Sequence, residues 1–243
     1  MGEHSAGYSL AGENGFRWRG AEITRLEGFS DAVFAFAVTL LVVSLEVPKT
    51  FHELLAAIRG FAAFGVCFGI LVQVWFNHYR FFRRYGLQDP LTVTLNCVLL
   101  FFVLFYVYPL KYLFVSLFHG GGAIGADEAR TLFVIYGLGY AAVFGVFALL
   151  YLHAWRRRHE LALNRIEQAR TRHSLIDNLA MVIVGLTSTA LAMTLPLRWV
   201  GLAGYFYFVI GVYFTVAGMV FGARERALTR DEPGTPFSPP TRR

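Results

Sequence analysis

Charge is scarce in this chain. Only 16% of its 243 residues are Asp, Glu, Lys or Arg, against about a quarter in soluble domains, and such a composition does not build a surface wetted on all sides. Cysteine is nearly absent. Cys67 and Cys97 lie in apolar stretches without a C-x-x-C partner or a nearby His/Cys cluster, so they read as packed thiols that say nothing of redox compartment. There is no G-x-x-x-x-G-K-[ST] phosphate loop, no H-E-x-x-H zinc site and no G-x-S-x-G elbow, which removes the commonest hydrolase and nucleotide chemistries. Residues 1–20 carry Glu3, His4 and Glu13 and no apolar run before a small-residue cleavage site, so no signal peptide is expected and the first apolar segment directs insertion.

What the chain does contain is apolar length. Hydrophobic residues make up 56% of it and its mean hydropathy is +0.51. A helix crossing a hydrocarbon core of roughly 30 Å needs about 20 apolar residues. Six windows meet that need: 24–47, 54–79, 91–117, 131–153, 175–195 and 199–223. Continuous apolar runs favour helices over the alternation of barrel strands. An even number of spans puts both termini on one side. Arg17, Arg19, Arg25, Arg80, Arg83, Arg84, the six arginines from Arg156 to Arg172 and the five from Arg224 to Arg243 fall on that side, leaving Lys49, Arg59, Lys111, Arg130 and Arg198 for the other. By the positive-inside rule the termini are cytoplasmic. Residues 156–172 read as a solvated connector or, alternatively, an anionic-lipid contact. The expected organisation is a disordered cytoplasmic segment at 1–20, a six-helix domain at 21–228 and a disordered, proline-rich tail at 229–243.

Polar groups in or beside the spans are costly in lipid unless paired. Arg25, Glu27, Ser30, Asp31, Trp75, His78, Asn96, Asp177 and Asn178 all fall near the cytoplasmic helix ends in this topology. A belt at one depth suits a structural network; a direct part in gating or ion passage is the other reading. A proton relay across the bilayer would need ionisable groups spread through its thickness, and the sequence places none there. At 100° per residue Phe29, Phe36, Leu40 and Val43 share one stripe of the first segment, while Asp31 lies on another with Ala35 and Val38. Plain lipid or core contact explains such a stripe equally well. The G-x-x-x-G spacings Gly65/Gly69 and Gly218/Gly222 would let helices approach closely.

Arg25-x-x-x-Phe29-Ser30-Asp31, followed by the run A-V-F-A-F-A-V-T-L-L-V-V-S-L-E, resembles the R-x-x-x-F-S-D signature of the transmembrane protein 175 family of cation channels, also known as domain of unknown function 1211. Trp75 and His78 in W-F-N-H-Y-R-F-F are similar to the family's W-x-x-H pattern, and the third segment runs from Asn96 to Pro109 through aromatics, again like the family. The resemblance is specific over about residues 22–112. It implies a prokaryotic-type homotetramer of one six-helix unit per chain, with the first helices lining a pore whose constriction is made of side chains. The missing glycine-bearing carbonyl filter is then expected. Carried onto this chain, the narrowest ring falls on Phe36, with Leu40 and Val43 beyond it and Thr39 nearby. Arg25, Ser30 and Asp31 would pair with one another and toward Trp75, His78 and Asn96, with Phe29 completing the signature. Phe36 departs from the family's usual isoleucine. It would occlude the pore until the helices rotate or spread, or else swing aside and offer its π face to a cation.

The fold expected is thus an all-α integral membrane protein of six transmembrane helices, both termini cytoplasmic, with the first helix of each subunit lining the pore of a homotetramer. The function expected is a passive potassium-permeable channel of the plasma membrane. Its partners are potassium ions as permeant, membrane lipids and its own copies, with no nucleic acid, no cofactor and no metal beyond the transient permeating cation. A secondary transporter, a proton-permeable leak channel, a non-conducting scaffold and a membrane enzyme using His78 with Asp31 or Asp177 are the rivals. A transporter would favour broken helices and a polar midplane site, and an enzyme a convergent constellation.

Overall fold

The computed structural model describes residues 16–20, 22–43, 50–118, 125–211 and the odd-numbered positions from 213 to 219. Regular structure among them is helical: α1 (Arg25–Val43), α2 (Phe51–Tyr85), α3 (Pro90–Phe118), α4 (Ala126–Arg156), α5 (Arg165–Thr194), a 3-10 turn at Leu197–Trp199 and α6 (Gly201–Tyr205). Local chemistry starts these helices. Thr24 and Glu27 form a reciprocal cap, the Glu27 carboxylate accepting from the Thr24 amide at 2.9 Å and the Thr24 hydroxyl from the Glu27 amide at 3.2 Å. Asn164 and Glu167 repeat that device at α5. Asp89 precedes Pro90 and accepts from the Thr92 hydroxyl at 2.7 Å, so α3 begins on a proline whose missing N–H is no loss. Gly86, at φ +59°, turns the chain out of α2.

Three helical stretches are long and apolar enough to cross a membrane: Pro90–Tyr112, Asp127–Arg156 and Arg165–Thr194. Of the expected sixth segment, α6 belongs to the unit ending at Tyr207 and residues 208–211 are helical in a second unit. Phe34, Leu41, Leu71, Phe81, Leu99, Phe147 and Leu150, from α1 to α4, make the buried core. The α4–α5 pair packs along its length where glycines remove side chains. A Cβ on Gly185 would stand 2.8 Å from the Gly137 carbonyl, and one on Gly137 would strike the Thr189 hydroxyl. The spacing Gly65/Gly69 is different: an added Cβ there meets nothing within 4 Å. Gly218 and Gly222 lie outside the described residues.

Two expectations need correction. Residues 16–20, placed in a disordered terminus, are a strap packed across the ends of α2 and α5. Phe16 is fully buried with its ring edge-on to Tyr85 at 5.6 Å. The amides of Arg19 and Gly20 donate to the Arg83 carbonyl at 3.1 and 3.2 Å, and the Arg83 guanidinium donates back to the Gly20 carbonyl at 2.7 Å. Residues 1–15 lie outside the described set. The stretch 156–172 is not merely solvated either. Glu167 has no exposed surface and receives Arg17 at 3.2 Å and Arg19 at 2.7 Å, with the Arg17 amide at 2.9 Å. An acid buried this fully requires such partners, and the strap supplies them.

A second cluster joins the α2–α3 turn to the end of α4, where Asp89 meets His153 and Arg157, each at 3.1 Å. Burial alone would raise the Asp89 carboxyl, but hydrogen bonds from Thr92 and His153 outweigh it and hold the group well below its ordinary value of 3.8. A depressed acid contributes stability above its unfolded pKa and loses it as pH falls toward the folded one. Unfolding midpoints in detergent are therefore expected to fall below about pH 4 in wild type, with a shallower acid limb in Asp89→Asn. Glu167→Ala, which removes the buried acceptor that Arg17 and Arg19 share, is expected to cost about 3 kcal/mol in the same assay.

Candidate functional site

α1 has two faces. Ser30, Phe34, Ala37 and Leu41 are buried against α2 and α3, whereas Phe29 and Phe36 are 56% and 57% exposed, with Ala32, Ala35 and Thr39 on the same uncovered side. The Thr39 hydroxyl turns back to the Ala35 carbonyl at 2.9 Å. Leu40 lies at the margin of this face, partly buried against the core. The side chain of Val43 lies outside the described residues. Of the expected stripe, then, Phe29 and Phe36 share the open face with Thr39, and Leu40 borders it.

The buried side of α1 is fixed by a directed chain of hydrogen bonds. The Ser30 hydroxyl donates to the Leu26 carbonyl at 2.8 Å, so it accepts from the Asn96 amide nitrogen at 2.9 Å. The Asn96 oxygen therefore faces His78 Nε2 at 2.8 Å, and the imidazole must be the donor. All three side chains are at most 1% exposed. The His78 ring lies 5.7 Å from Phe34 and 4.6 Å from Phe82, centroid to centroid, which leaves this polar chain an apolar jacket. Asp31 belongs to a separate bond, accepting from the Trp75 indole N–H at 2.8 Å.

The expected single network is thus corrected to two. Ser30 and Asp31 are adjacent and so point about 100° apart, one toward α3 and the other toward α2. Arg25 joins neither: it is exposed at the start of α1, and among the described residues it makes no ion pair with Asp31. Six positions of helix carry the two charges to well-separated sides. Asp177 pairs within α5, with His173 at 3.4 Å, and the Asn178 amide donates to the Ser174 carbonyl. The groups named for an enzyme site are therefore engaged elsewhere: His78 with Asn96, Asp31 with Trp75, Asp177 with His173. Among the described residues no three His, Cys, Asp or Glu side chains gather where a metal could sit. Glu27 proves to be a helix cap, which its spacing in T-x-x-E would have disclosed. The strap's Arg17 and Arg19 lie about 150 residues from Glu167, and no local signal connects them.

The family model described as the endosomal/lysosomal potassium channel TMEM175 matches residues 25–106, the stretch that holds α1, α2 and the Asn96 end of α3. A protein named potassium channel from Marivirga tractuosa is 41% identical over 233 residues, covering 89% of this chain and 94% of its own. Another, from Chamaesiphon minutus, is 28% identical over 207 residues, covering 81% and 95%. Among solved structures, the chain resembles a variant of the potassium channel MtTMEM175 held by a nanobody fusion protein, with a TM-score of 0.77, 38% identity and coverage of 88% of this chain and 100% of that one. It also resembles a lysosomal potassium-selective channel TMEM175 homolog from Chamaesiphon minutus, with a TM-score of 0.55, 29% identity and coverage of 79% and 95%.

Asn96→Ala would leave both Ser30 and His78 without their partner in a dry site. It is expected to cost about 3 kcal/mol, since each stranded polar group loses roughly 1–3 kcal/mol. Asp31→Ala removes an exposed bond and should cost about 1 kcal/mol. Thermal unfolding of the three purified proteins in one detergent ranks them; equal losses would contradict the two-network geometry.

Proposed function

This chain belongs to the family of the potassium channel TMEM175, a family of membrane channels and not of enzymes, and on that premise we propose that it is a passive potassium-permeable channel without a cofactor. The observation that carries the proposal is the uncovered face of α1. It holds Phe29, Phe36 and the hydroxyl-bearing Thr39 away from the rest of the chain. One helix face cannot enclose a path. Four copies about an axis can, and closed rotational symmetry is the usual arrangement of identical subunits.

In this reading six spans run from the strap at 16–20 to about residue 228, both termini are cytoplasmic and the membrane is the plasma membrane. The first helices line the pore, and Phe36, Thr39, Leu40 and Val43 form its constriction. Backbone carbonyls take no part in a filter. A ring of apolar side chains blocks ions by excluding water, and opening means wetting it. Ser30, Asn96 and His78, with Asp31 and Trp75, hold α1 at the angle that presents Phe36 inward; Arg25 and Phe29 mark the helix's cytoplasmic start. The open Gly65/Gly69 spacing on α2 leaves room for a neighbouring helix.

Potassium flux into liposomes holding the purified protein tests this, with sodium in parallel. Wild type is expected to pass potassium faster than sodium. Phe36→Ile, which replaces an aromatic ring by a smaller side chain, is expected to raise potassium flux roughly tenfold, equal to a barrier lower by about 1.4 kcal/mol. No flux in either protein would overturn the channel reading; equal flux in both would move the constriction away from Phe36.

A further inference from the structure

Lys111 is partly buried and reaches across to another helix. It stands on α3, and its Nζ donates to the Leu41 carbonyl of α1 at 3.1 Å. Leu41 lies toward the end of α1 as described, two residues before Val43. The surroundings are dry: Leu41 is 2% exposed, Leu110 4% and Cys67 1%. The Cys67 thiol of α2 reaches the Leu110 carbonyl at 3.7 Å, so the segment that carries Lys111 is itself fastened to α2. Pro109 lies two residues before Lys111 inside α3 and removes one backbone donor from that turn.

α3 therefore holds α1 at two levels. Asn96 takes Ser30 near the start of α1, and Lys111 takes Leu41 near its end. Fifteen residues separate them along α3, about 22 Å. The first bond fixes how α1 is rotated; the second fixes where its far end lies. Leu41 sits next to Leu40 and two residues before Val43, so any tilt of that stretch displaces both.

We propose that Lys111 is a positioning residue for the permeation path, pinning the far end of α1 so that Leu40 and Val43 keep their distance from the axis. The proposal rests on α1 lining the pore. Hydrogen exchange read by mass spectrometry on the full-length protein, together with potassium and sodium flux in liposomes, tests it in wild type, Lys111→Met, Lys111→Gln and Lys111→Arg. Met keeps the stem without a donor, Gln keeps a neutral donor and serves if the Met variant does not fold, and Arg keeps the cation. Exchange around Leu41 of α1 is expected to quicken roughly tenfold in Met, the loss of one charge-assisted hydrogen bond, to quicken less in Gln and to stay near wild type in Arg. The potassium-to-sodium flux ratio should shift in that same order, a change that simple loss of folded protein would not produce. Wild-type exchange and flux ratio in both Met and Gln would overturn the proposal, as would an Arg variant no closer to wild type than Met. If wild type itself passes no potassium, the channel reading fails, and the exchange rates still decide whether Lys111 pins α1.

Discussion

A polar side chain in hydrocarbon has no water to turn to, and the protein must supply its partner. Burial inside the protein sets the same demand on Ser30, which has no exposed surface. Its hydroxyl donates to the Leu26 carbonyl of its own helix and accepts from Asn96, whose oxygen in turn accepts from His78. Turning α1 by one residue would rotate its faces by about 100° and break the bonds of Ser30 to Asn96 and of Asp31 to Trp75. Phe36 is six positions from Ser30, so its direction follows from the same rotation. The open face of α1 thus follows from a buried polar chain on another side of the same helix.

Much of this was legible in the chain. The first five apolar windows fall on α1 to α5, and the stretch around Ser30 and Asp31 pointed to side chains that the structure joins by hydrogen bonds, Ser30 to Asn96 and Asp31 to Trp75. What escaped were pairings that sequence distance hides. Arg17 and Arg19 reach Glu167 across most of the chain, and a short basic stretch before the first span looks the same whether it is docked or free. The split between Ser30 and Asp31 was visible in principle, since adjacent helical residues cannot face one neighbour. Arg25 was joined to Asp31 by proximity along the chain, which on a helix is no guide to proximity in space.

Glycine spacing is a related case. Gly65 and Gly69 form the recognisable motif, yet among the described residues a Cβ added at either meets nothing within 4 Å. The close contact is between Gly137 and Gly185, which share no motif and belong to different helices. A motif search reads one helix at a time, whereas close packing is a property of two.

That crossing has its own consequence. Each glycine's missing Cβ is the space that the other's carbonyl occupies: a Cβ on Gly137 would stand 2.7 Å from the Gly185 oxygen, and one on Gly185 2.8 Å from the Gly137 oxygen. The obstruction is backbone on both sides, so no rotamer change relieves it. Neither position can grow by itself, and enlarging both only doubles the conflict. The two sites are therefore locked as a pair in any descendant of this sequence that keeps the spacing of α4 and α5. Escape requires the helix axes to separate, which would unpack Ala141 and Thr189 along the same seam.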